Sequence, residues 1–155
     1  MDKQMIRHLT ATVAYRFAKQ VKAAPTHFAT FDAGNDVVSP VKIVNHITVV
    51  IRFAQQLIDK TIKPTAPKTK NISEAAEIFH NALQLLDEML LERDIEEKVL
   101  CQIIQGPLAD ALTHIGQLST LRRLSGAPVY SENYMLADIQ SGRVGATQTI
   151  SEHQF

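Results

Sequence analysis

Four stretches of this chain place apolar residues at intervals of three and four, and none shows the strict alternation of a half-buried strand. Between about Asp2 and Lys22, Ile6, Leu9, Val13 and Phe17 fall on one helical face. From Ser39 to about Lys60, Ile43, Ile47, Val50, Ala54 and Leu57 share a stripe, with Asn45, Arg52, Gln56 and Asp59 turned away at about 100° per residue. A third stretch carries Ala75, Phe79, Ala82, Leu83, Leu86 and Leu90 on one face. A fourth resumes after the charged run Glu92 to Lys98 and continues to about Ser125, with a kink or break expected at Gly106-Pro107.

Punctuation agrees with the periodicity. Ser39-Pro40 supplies an N-cap hydroxyl and a proline at the first helical position, and Asn71 with Glu74 resembles a capping box. Gly126-Ala127-Pro128 ends the last helix with a glycine suited to a left-handed cap. The segment from Ala24-Pro25 to Asp36 reads as a long irregular connection with His27 near the surface, Lys63 to Lys68 as a solvated proline-bearing loop, and the remaining tail as mostly irregular. The expectation is an all-α four-helix bundle forming a single domain over residues 1–155, with its core at about 2–129 and a tail at about 130–155. The long connection between helices one and two permits a non-sequential order around the bundle.

A chain of 155 residues buries enough surface, roughly 70%, to fold without a staple. Its one cysteine, Cys101, has no internal partner and reads as a small buried hydrophobe among Val99, Leu100, Ile103 and Ile104. Lysine plus arginine equals aspartate plus glutamate at 16 each, which argues against broad capture of nucleic acid or an anionic membrane. No continuous hydrophobic run suggests a signal peptide or a span, so a soluble cytoplasmic protein is expected.

Asp110 and His114 lie four apart on the fourth helix, on neighbouring turns, so both can reach one ion. With His114 at zero on a helical wheel, Asp110 falls near −40°, Leu118 near +40° and Leu121 near −20°, so two polar groups share a stripe with core leucines. A buried carboxylate there needs a cation or strong hydrogen bonds. One solution is structural, with Asp110 paired to Arg122, Arg123 or another basic group and His114 bonded to a carbonyl. The other is a metal, because His46 independently occupies the apolar arc of the second helix, and three ligands on facing helices can converge inside a bundle. Two imidazoles and a carboxylate leave positions open for water or substrate.

The run Asp110, His114, Gly116, Gln117 and Leu118, followed by Leu121, Arg122, Gly126 and Pro128, resembles the closing helix of DinB-like proteins, whose motif reads His-x-x-x-His-x-Gly-Gln. The resemblance extends over roughly Asp2 to Val129, and Asn45-His46 matches the family's ligand position on the second helix. It implies a metalloenzyme with a divalent ion held by His46, Asp110 and His114. Aspartate replaces the usual first motif histidine, and the harder oxygen donor accommodates zinc, iron or manganese alongside nickel. Zinc and nickel lead that expectation. The resemblance further implies a low-molecular-weight thiol as co-reactant in transfer to, or isomerisation of, a small-molecule substrate.

Gln117 reads either as a partner that hydrogen-bonds a ligand or its water or as a helix-packing or solvent-facing amide, Gly116 as a close helix approach, and Arg122 and Arg123 as surface or salt-bridge residues. His8, His27, His80 and His153 lack the convergence that singles out His46 and His114, while Glu132 or Tyr134 in the tail could fold over the bundle opening as a fourth ligand or acid-base group. The competing function is a non-catalytic binding or interaction bundle, a homodimer with structural metal or none, its contact using apolar surface of helix one and the tail.

Overall fold

The Asp2 carboxylate accepts a hydrogen bond of 2.8 Å from the Gln4 amide and so opens α1, Lys3–Val21. Pro40 begins α2, Pro40–Ile58, with Ser39 at the N-cap position, although the serine hydroxyl makes no capping bond. The Asn71 side chain accepts from the Ser73 and Glu74 amides at 2.8 and 3.1 Å and starts α3, Ile72–Glu92, so half of the expected capping box forms. This computed structural model describes residues 2–155. Among them one isolated bridge, Glu132 to Gln154, stands in for any strand, and no helix is long and apolar enough to cross a membrane.

The fourth long helix is built in three parts. α4, Glu97–Ile103, passes through a π-helical turn at Ile104–Leu108 into α5, Ala109–Leu124. The expected break at Gly106-Pro107 is therefore a widened turn in a continuous helix. Pro107 has no amide hydrogen to give the carbonyl one turn back, and its ring would crowd that carbonyl in an α-helix; the wider turn accommodates both. At the far end Gly126, at φ +79°, closes a Schellman cap. Its amide and that of Ala127 donate to the Arg123 and Arg122 carbonyls at 3.2 and 3.0 Å.

α1 packs against α3 and α5, and α2 packs against the same two helices, so α1 and α2 stand at opposite corners. The connection between them crosses that diagonal, which is why it must be long. It is less irregular than its composition suggests: a 3₁₀ turn at Thr26–Thr30 drives Phe28 into the core, while His27 stays exposed as expected. The core is one cluster around Phe17, Phe79, Ile47, Leu83, Leu90 and Leu118. Cys101 is half-buried rather than buried.

Arg122, expected as a surface or salt-bridge residue, is only 5% exposed and has no acidic partner among the described residues. Its guanidinium donates to the carbonyls of Ala127, Gln20 and Lys22 at 2.7, 2.9 and 3.3 Å. One cation thus satisfies unpaired carbonyls at the C-terminus of α1 and beyond that of α5, where the helix dipoles favour positive charge. The tail is mostly irregular, as read from the sequence, and lies along α1. There the buried Glu132 accepts from the Tyr15 hydroxyl at 2.5 Å and the Lys19 ammonium at 2.7 Å, and the Arg16 guanidinium sits 3.9 Å from the centre of the Tyr134 ring.

Candidate metal centre

His46 projects from α2 and Asp110 and His114 from the adjacent α5, so the seam between these two helices brings together all three residues singled out in the sequence. One ligand atom from each lies within 4.8 Å of the others. His46 Nε2 stands 3.6 Å from Asp110 Oδ2, and His114 Nε2 stands 3.6 Å from Asp110 Oδ1. The imidazoles meet edge to face, with centroids 4.7 Å apart. At 3.6 Å neither nitrogen is hydrogen-bonded to the carboxylate.

Two donors each 2.0–2.1 Å from one ion can stand at most about 4.2 Å apart. Both N–O separations fall inside that span, and the full 4.8 Å spread asks one ring to move in by about half an ångström. His46, with 53% of its side chain exposed, has the freedom to do so. The donor set, two imidazoles and a carboxylate, is the chemistry of a divalent site with open positions, and the residues fit such an ion.

Exposure departs from the sequence reading. His46 was expected inside the apolar arc and Asp110 and His114 on the core stripe, yet Asp110 and His114 side chains are 44% and 21% exposed. Within α5 the buried residues Ala111, Ile115, Leu118, Leu121 and Arg122 centre about 50° from His114 and about 90° from Asp110, and the π turn sets that face against the one α4 buries. In an uninterrupted α-helix Asp110 and His114 would follow Ile103 by seven and eleven residues, about 20° to either side of that fully buried residue. The widened turn instead separates the buried positions Ile103 and Leu108 by five residues, and the core then continues through Ala111, Ile115 and Leu118. The acid and the imidazole are carried to the edge. On α2 the buried face centres on Val44, Ile47 and Ile51, leaving His46 beside it.

Of the basic partners the structural reading offers Asp110, the fold supplies His46 and His114 rather than Arg122. Arg122 is committed to backbone carbonyls, and the ionic neighbours of Asp110 are the two histidines. Gln117 Oε1 lies 2.8 Å from His114 Nδ1. Since an amide oxygen only accepts, Nδ1 is the donor, and in the neutral ring this leaves the Nε2 lone pair on the side of Asp110 and His46. Gly116 does not mark a close approach: a β-carbon there would meet nothing within 4 Å.

Glu132 and Tyr134 do not cover this seam. They sit against α1, where Glu132 lines a separate cleft of about 750 Å³. Burial opposes the Glu132 charge, but hydrogen bonds from Lys19, Tyr15 and Ser151 outweigh it and hold its carboxyl below the usual range. His80 lines the same cleft as a structural group, buried, with Nδ1 3.0 Å from the Val144 carbonyl. His8, His27 and His153 also stand outside the grouping.

An open groove of about 920 Å³ adjoins the seam, with His46, His114 and Gln117 in its wall. Its other wall is the turn preceding α2, including Val37 and Val38, and its floor includes Leu121. Sequence reasoning missed these residues. The signal available was the Val37-Val38 pair emerging from the Gly34-Asn35-Asp36 turn, too short to show any periodicity. No protein-family model, curated protein or solved structure matches the chain.

Proposed function

We propose that this chain is a cytoplasmic, divalent-metal-dependent enzyme of the DinB-like type, with His46, Asp110 and His114 as the metal ligands. The observation that carries the reading is a gap of metal size: three donor groups on two helices face one another, too far apart to be hydrogen-bonded and open to a groove. A divalent ion, zinc or nickel first and iron or manganese also compatible, supplies Lewis acidity toward a thiol or water.

The chain's own residues do the rest. Gln117 fixes the tautomer and orientation of His114, as outer hydrogen-bond partners of histidine ligands do. Asp110 contributes the negative charge that offsets a cation. The groove beside the two imidazoles gives a small molecule an apolar surface to bind against. The class of reaction this supports, through the DinB-like resemblance, is thiol-dependent transfer or isomerisation with a low-molecular-weight thiol.

The test is elemental analysis of protein purified without an affinity tag, beside His46→Ala and Asp110→Ala, with circular dichroism on all three. Near-stoichiometric metal in the native chain, lost from both folded variants, is the expected result. A folded native protein without metal under metal-replete conditions would sink the proposal and favour the non-catalytic homodimeric bundle.

A further inference from the structure

The groove beside His46 and His114 has a marked imbalance of charge. Val37, Val38, Ile43, Leu121 and Leu124 supply apolar surface, Asp36 is a carboxylate at its rim, and no lysine or arginine lines it. Asp36 has no hydrogen bond or ion pair among the described residues, so its charge is available. Its position is built: Gly34, Asn35 and Asp36 take φ values of +75°, +51° and +59° in succession. The Gly34 amide is held by the Asp32 carboxylate at 2.8 Å, and the Val37 amide donates back to the Gly34 carbonyl at 3.1 Å. Val38 and Leu124 are both exposed, an apolar pair that a ligand would shield from water.

We infer that the groove selects a small molecule with an apolar body and a cationic amine, the ammonium meeting Asp36 and the body lying over Val38 and Leu124, and disfavours a carboxylate or phosphate in the amine's place. The inference rests on the groove being the substrate side of the proposed metal centre and names the class of substrate. Charge complementarity at an exposed carboxylate changes affinity by severalfold at most, so Asp36 is a selectivity determinant and the apolar wall supplies the larger share of binding.

Metal-stripped protein provides the test, because loss of the metal reading would then appear in elemental analysis and leave this result untouched. Hexylamine, hexanol and hexanoate are titrated at neutral pH while amide chemical shifts are followed. Shifts at Val38 and Leu124 with hexylamine about threefold tighter than hexanol, and hexanoate weakest, are expected. Asp36→Asn should make amine and alcohol equal. Asparagine tolerates the left-handed backbone, so the turn survives the change. Leu124→Ala should weaken all three probes alike. Hexanoate binding as tightly as hexylamine, an amine preference that persists in Asp36→Asn, or no probe shifting Val38 and Leu124 would each overturn the inference.

Discussion

His114 Nδ1 lies 2.8 Å from the side-chain oxygen of Gln117, one turn further along α5. This bond decides which imidazole nitrogen faces Asp110, and it ties the orientation of a candidate ligand to a residue that is not itself one. Gln117→Ala is therefore expected to lower metal affinity by about tenfold, the lower end of the cost of removing such a partner. Competition against a chromophoric chelator measures it, and unchanged affinity would show the hydrogen bond to be incidental.

Gly116 offers a prediction of opposite sign. It is an exposed mid-helix glycine with open space where a β-carbon would go. Gly116→Ala should stabilise the protein by about 0.5–1 kcal/mol through helix propensity and reduced freedom of the unfolded chain. Urea unfolding reads this directly. A loss of stability would mean that the helix needs the glycine for something its local geometry does not show.

Arg122 is where stability is most exposed to a single change. Removing it strips donors from the carbonyls of Gln20, Lys22 and Ala127 and opens a cavity beneath Phe28, whose ring centre lies 5.5 Å from the guanidinium. Arg122→Ala should cost about 3 kcal/mol, and Arg122→Lys a large part of that, since an ammonium cannot reproduce the fork. Equal urea midpoints for Arg122→Lys and the native chain would contradict this account.

Acid should weaken the fold in two stages. Burial holds the His80 pKa below 6.5, against the opposing pull of the Val144 carbonyl, so the folded state binds fewer protons than the unfolded one. The neutral ring's contribution is complete above pH 6.5 and is lost as pH falls toward the lower folded value. Glu132 is likewise depressed, from 4.5, so its ion pair contributes fully above that pH and is lost as pH falls through the folded value. Urea midpoints measured between pH 7.5 and 5.5 should decline in the native chain and decline less in His80→Gln. If both decline equally, the proton responsible is bound elsewhere.

Helix-forming segments were legible in the sequence because their signal is repeated: Phe79, Leu83, Leu86 and Leu90 restate one face over several turns, and each is buried. The three ligand candidates were legible for a different reason, polar groups recurring at positions where a helix meets its neighbours. Their exposure was not. The wheel set Asp110 and His114 beside Leu118 and Leu121 without weighing Ala111, Ile115 and Arg122, whose burial centres the inner face about 50° away from His114. Arg122 escaped for want of any local cue, since its partners Gln20 and Lys22 are about a hundred positions away. The groove walls were hidden similarly, because Val37 and Leu124 become neighbours of one cavity only through the packing of α2 on α5.

The widened turn also governs how this chain can change length. A deletion of Gly106 combined with Pro107→Ala should let the helix close to ordinary α pitch while residues on either side keep their facing, so the paired imidazoles and the metal stoichiometry proposed for them should survive. The same loss between Asp110 and His114 would swing the histidine by about 100° relative to the acid and scatter the donors. Elemental analysis of the two deletion variants separates a stretch of helix that serves as slack from one in which every residue keeps time.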